Sequence, residues 1–193
     1  LVFKTSWRQI IQGTLIVAVT YTLFYTLATW SLTYAITNLG FSNREYLFLL
    51  MGAIIVFAIL IVYASKLADI FGRRRVLLAS SSALIVFSLL FPYLLQGQRN
   101  FTGAIIFLVV GFTLMGVAFG PVGALLPELF KTEVRYSGAG ISYNLAAIVG
   151  AAFTPTIATW LANNWGIKFV GLYLGIMAVA CFISLLTVTE TKA

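Results

Sequence analysis

The chain has no histidine, one cysteine and only five carboxylates in 193 residues. Those shortages remove whole classes of chemistry. Without histidine or a cysteine cluster, the sequence supplies no ligand set for a zinc or iron centre. Cys181 has no second cysteine with which to form an internal disulfide. The acids are Glu45, Asp69, Glu128, Glu133 and Glu190, and none falls in the middle of an apolar stretch. A serine nucleophile would lack its base and metal-assisted hydrolysis its ligands, so the residue census excludes an enzyme. It also removes a proton relay from these segments, because such relays use an intramembrane Asp, Glu or His.

Charge of either sign is scarce, at 9% of residues against about 25% in a soluble domain. Hydrocarbon is what the chain has in quantity, with 61% of residues hydrophobic. The apolar residues gather into six stretches, about 10–36, 46–65, 76–95, 103–126, 138–161 and 169–188. Each approaches or exceeds the roughly 20 residues that cross a bilayer as a helix. Their length and their lack of two-residue alternation exclude barrel strands. The fold class predicted is therefore all-α: a polytopic membrane protein of six transmembrane helices, forming one domain over 1–193. The chain begins with leucine and no signal pattern precedes the first stretch. A piece of a longer protein is the expectation.

The few charges are strongly placed. Ser65 to Arg75 reads Ser-Lys-Leu-Ala-Asp-Ile-Phe-Gly-Arg-Arg-Arg and holds five of the seventeen charged side chains, so a water-exposed turn is expected there. With six spans both ends of the chain lie on one side. Lys4, Arg8, Lys66, Arg73, Arg74, Arg75, Lys131, Arg135 and Lys192 share that side, and only Arg44, Arg99 and Lys168 face the other. Nine cations against three predict that both termini are cytoplasmic. The net charge of +7 is thus topological, and nucleic acid is not implied. In the basic turn Gly72 permits a tight reversal. Its arginines can bridge carboxylates or the carbonyls at a helix C-terminus. Glu128 and Arg135 flank the next inner connection, so arginine-to-glutamate bridges between the two connections are expected.

Polar groups inside the spans are few enough to follow one by one. In the first span Tyr21 and Tyr25 lie one turn apart, and Thr22, Thr26, Thr29 and Thr33 form a second row about 100° away. Either the hydroxyls bond carbonyls one turn back, or this arc lines a polar cavity. Trp30 lies too deep in the span for an interfacial aromatic belt. The fourth span has Gly116 and Gly120 at the spacing of close helix packing, and Pro121 to bend it. The fifth is rich in glycine and alanine, includes Pro155, and carries Asn144 beside Tyr143. An unsatisfied amide in lipid costs several kcal/mol. Asn144 therefore faces protein or water, through a ligand contact or an interhelical bond.

Asp69-Ile-Phe-Gly72-Arg73-Arg74 resembles the loop signature of the major facilitator superfamily, with Ser65 where its leading glycine usually stands. Pro127-Glu128-Leu129-Phe130, then Thr132, Arg135, Tyr136, Ser137 and Gly138, resembles the segment between that family's tenth and eleventh helices. Together with Ala139 to Ala146 the match looks most like the metabolite:proton symporter group, relatives of proline/betaine, shikimate and dicarboxylate transporters. The resemblance implies the C-terminal six-helix half of a twelve-helix transporter in the cytoplasmic membrane, with the N-terminal half missing from this chain. It implies alternating access for a small polar or organic-acid metabolite, a proton as coupling ion and no other cofactor. It also implies that Asp69, Gly72, Arg73, Arg74, Glu128 and Arg135 form a cytoplasmic latch, and that Tyr21, Tyr25, Trp30, Tyr143 and Asn144 approach the central cavity. A self-contained six-helix protein that dimerises into a transporter or channel, or a non-transporting scaffold, is the alternative.

Overall fold

A computed structural model describes residues 6–188. Lys4, Glu190 and Lys192 therefore lie outside the described residues. Six helices are long and apolar enough to cross a membrane: α1 (Trp7–Thr37), α2 (Asn43–Phe71), α3 (Arg73–Leu94), α4 (Phe101–Glu128), α5 (Thr132–Asn164) and α6 (Ile167–Thr187). A helix pairs its own backbone groups, which is the condition for crossing hydrocarbon. The expected spans are all present, but the helices run past the apolar stretches into charged sequence. The water-exposed turn expected from Ser65 to Arg75 is not a loop. α2 continues to Phe71, α3 begins at Arg73, and Gly72 alone forms the corner, at φ 97° and ψ 133°. Leu67 to Phe71 contains no helix breaker, so the chain stays helical until a residue that tolerates positive φ arrives.

α1 is the central post. In its most apolar stretch 61% of residues are buried, against 17% for α2 and 22% for α5. It packs chiefly on α5 and α6, while α2 packs on α4 and α3 packs on α6 and α4. Glycine sets the closest seams. A Cβ on Gly120 would lie 2.8 Å from the Ile61 carbonyl and 3.0 Å from Ser65 Oγ. Gly116 meets Leu60 and Phe57 one turn earlier. The Gly116/Gly120 spacing thus does bring α4 against α2, and Ser65 packs on Gly120 with its hydroxyl returned to Ile61 O at 2.8 Å. On the α3 side, Phe87, Phe91 and Phe107 interlock with ring centroids 5.2–5.9 Å apart.

Two helices depart from α geometry. α1 passes through a π turn at Thr26–Trp30, and α5 through one at Ala147–Ala152 before a bend at Phe153. The break in α5 precedes Pro155, which occupies the first turn of the segment Thr154–Asn164. At the end of the bundle away from Gly72, Ser42 caps α2 in a reciprocal box with Glu45. Glu45 also accepts a hydrogen bond from Arg99 at 2.6 Å. The α1–α2 and α3–α4 connections are joined by that contact.

Candidate functional site

The residues singled out in the sequence divide between two ends of the bundle. At one end, Gly72 turns the chain so that Arg73 opens α3 directly beneath α4. Its guanidinium pairs with Glu128 and also reaches Asp69 at 3.4 Å. Arg73 retains 16% of its side-chain exposure and Glu128 33%, so the pair is half withdrawn from water. Arg74 takes a different partner: Nε and a terminal nitrogen donate to the carbonyls of Leu185 and Leu186, at 2.8 and 3.0 Å. It closes the C-terminus of α6, where helix carbonyls lack intrahelical donors. Gln12 of α1 donates to Thr187 at 2.8 Å, and Ser184 donates to Gln12 O at 3.1 Å. The ends of α1, α2, α3, α4 and α6 are thereby tied by polar contacts.

Arg135 does not join them. It is exposed at the start of the α-helical part of α5 and makes no ion pair among the described residues. It instead borders a largely apolar groove of about 530 Å³ with Pro127, Tyr136, Ala139 and Tyr143. A 3₁₀ turn at Thr132–Val134 separates it from Glu128, which explains why their nearness in sequence produces no bridge.

Towards the other end, the hydroxyl arc of α1 behaves differently on the two sides of its π turn. Thr22 and Thr26 are fully buried. Thr26 donates to Thr22 O at 2.7 Å. Thr33 and Thr37 also bond carbonyls one turn back, at 3.2 and 2.9 Å, yet both are exposed and border a cavity of about 290 Å³ between α1 and α5. Trp30, Tyr34, Asn38, Thr159 and Asn163 complete most of its wall. Trp30 is 2% exposed and lies parallel to Tyr34, with ring centroids 5.0 Å apart. The residue marked by its depth thus stands at the pocket towards the end away from Gly72. Both back-bonded hydroxyls and cavity lining occur in one helix.

Tyr21, Tyr25 and Tyr143 are each half-buried. Gly150 lets α5 rest on the backbone of Ala18 and the Cβ of Tyr21, which holds this region of α1 and α5 together. Asn144 is exposed and donates to Gly140 O in its own helix at 2.8 Å. No interhelical bond from its amide occurs among the described residues. Its face is open. Tyr34, Thr37, Asn38, Thr159 and Asn163 were not singled out in the sequence. The four-residue step from Thr33 to Thr37 was the available signal.

This combination, a charged clasp around an Asp-x-x-Gly-Arg corner and neutral polar walls beyond it, can be set beside known proteins. The family model of the Major Facilitator Superfamily matches residues 13–193. The chain belongs to the Major Facilitator Superfamily. The "Inner membrane metabolite transport protein YhjE" of Escherichia coli is 46% identical over 96% of this chain and 43% of its own length. A putative metabolite transport protein of Haemophilus influenzae is 38% identical over 99% of this chain and 46% of its own. The Escherichia coli shikimate transporter is 33% identical over 87% of this chain and 38% of its own. The chain spans less than half the length of these superfamily relatives. No solved structure matches it.

Proposed function

We propose that the six helices form the C-terminal half of a secondary transporter that moves a small polar metabolite across the cytoplasmic membrane by alternating access, coupled to proton symport. The observation that carries this reading is the contrast between a clasp in which one arginine ties three helices at Gly72 and a neutral-walled cavity towards the opposite end, where the Arg99–Glu45 pair joins only two connections. Ionic and capping contacts close one end at Asp69, Arg73, Arg74 and Glu128. Uncharged hydroxyls and amides line a cavity towards the other. A permanent structural clamp would favour apolar packing, since hydrated ion pairs are worth only about 1 kcal/mol each. Contacts of that strength suit a latch that opens once per transport cycle.

The excess of cations at the clasp end supports a cytoplasmic position for it. The clasp then favours a state closed inwardly and open to the outside. The six spans carry no acid at mid-depth, so the group that carries the proton belongs to the other half of the protein. The relatives' names specify metabolites, shikimate, and proline or betaine. The neutral wall fits a small polar solute, with any charge-specific contact supplied by the other half.

The test is uptake by the intact protein. Asp69→Asn should lower the initial rate at least about tenfold while the protein still inserts in the membrane, a loss corresponding to about 1.4 kcal/mol of barrier height. Wild-type uptake by that variant would remove the latch from the mechanism.

A further inference from the structure

The ends of α3 and α6 away from Gly72 enclose a third cavity, chemically different from the one between α1 and α5. It is a groove of about 340 Å³ bordered by Leu89, Pro92 and Tyr93 of α3 and by Lys168, Phe169 and Leu172 of α6. Two features open it. Pro92 lacks the N–H that would bond the Ser88 carbonyl, and Gly171 allows α6 to rest directly on that carbonyl. The helices touch there, and the larger side chains beyond the contact border the groove.

The groove opens on an exposed apolar face. Exposed residues around and below it include Val86, Leu89, Leu90, Leu172 and Ile176. The cavity between α1 and α5, by contrast, is walled by threonines and asparagines. At the groove mouth lies Lys168, with Nζ 5.5 Å from the centre of the Tyr93 ring. Among the described residues Lys168 makes no ion pair. It stands in the first turn of α6, where unpaired N–H groups add positive potential. Trp165 packs edge-on to Phe169 and to Trp160, marking the level of the interface.

An apolar trough that opens laterally into lipid and ends at an unpaired cation complements one kind of molecule. We infer that the groove binds one anionic phospholipid of the leaflet opposite the Arg73–Glu128 clasp. An acyl chain lies along Leu89, Pro92 and Leu172, and the phosphodiester sits on the Lys168 ammonium, within reach of the Tyr93 hydroxyl. The bound lipid fills the groove beside the close Gly171–Ser88 contact of α3 and α6. This site does not depend on the identity of the transported solute.

The test is native mass spectrometry of the intact protein released from vesicles of phosphatidylethanolamine and phosphatidylglycerol at 3:1. One phosphatidylglycerol should be retained in preference to phosphatidylethanolamine. Lys168→Glu should reduce that occupancy about fivefold or more, the worth of one interfacial cation, and Lys168→Arg should keep it. Leu89→Trp fills the trough without touching the cation and should displace the same lipid. Equal retention of the two lipids by the wild type, or unchanged retention in both Lys168→Glu and Leu89→Trp, would overturn the assignment.

Discussion

Arg73 stands one residue past the Gly72 corner and holds two carboxylates, Asp69 one turn back in α2 and Glu128 at the end of α4. Three helices therefore meet through one guanidinium. Its fork geometry allows separate nitrogens to serve the two acids, which a lysine ammonium cannot reproduce at the same angles. Arg73 is the less exposed partner of each pair, so its loss affects both.

A double-mutant cycle on Arg73 and Glu128 should return a coupling of about 1 kcal/mol, the range for a partly hydrated pair. Arg73→Gln and Glu128→Gln are each expected to destabilise the protein in detergent, and the double variant by less than their sum. Thermal unfolding of the four proteins measures this. Strict additivity would mean that the contact contributes nothing to stability.

The α2–α4 seam should be intolerant at Gly120 and forgiving at Ser65. A Cβ on Gly120 meets backbone, the Ile61 carbonyl at 2.8 Å, so the two helices must move apart to admit it. Gly120→Val is expected to cost about 1–3 kcal/mol, the usual penalty of overpacking. Ser65→Gly restores the residue usual in the superfamily signature and removes only a hydroxyl already returned to its own helix. It should cost no more than about 1 kcal/mol, the helix penalty of glycine. Unfolding midpoints of the two variants would separate the cases.

Much of this arrangement can be read from residue order, and the exceptions have particular causes. The spans follow from run length, and a close-packed face on α4 from two glycines four apart, although the glycines do not say that α2 is the helix that meets them. The end of α2 was misplaced because charge was taken as a sign of loop, whereas Lys66 and Asp69 are compatible with helix. The π turn at Thr26–Trp30 contains neither glycine nor proline and leaves no local mark. It nonetheless inserts about one residue into the helical period, turning everything after it by about 100°. A single wheel drawn through α1 therefore merges buried Thr22 and Thr26 with exposed Thr29 and Thr33. The family resemblance groups Arg135 with the clasp, whereas beyond the turn at Thr132–Val134 it is exposed and makes no ion pair among the described residues.

Arg74 supplies a third expectation. Its bond to Leu186 supplies a donor at the last turn of α6, and its bond to Leu185 adds to the one that carbonyl accepts from Val188 N–H at 3.3 Å. Arg74→Ala should leave insertion intact but loosen that turn, at a cost of about 1 kcal/mol. Hydrogen exchange at Leu185 to Val188 should quicken about fivefold, with α3 unaffected beyond its first turn. Arg74→Lys should give only partial rescue, because one ammonium cannot reproduce the fork across two carbonyls.

The outer cavity yields the last expectation, and the choice of substitution decides whether it can be read. Trp30 borders the cavity but is 2% exposed and packs on Tyr34 and Phe91. Its removal would cost about 3–5 kcal/mol of folding free energy, as for any buried large aromatic. A loss of uptake in Trp30→Ala would then say nothing about solute contact. Tyr34→Phe and Thr159→Val delete one hydroxyl each from the wall and conserve most of the volume. If solute is held there by neutral hydrogen bonds, each variant should raise KM about threefold to tenfold, the worth of one such bond, with kcat little changed. That pattern is the mark of binding lost equally from ground and transition states. Uptake measured against solute concentration in the intact protein checks it, and an unchanged KM in both variants would place the cavity outside the solute path.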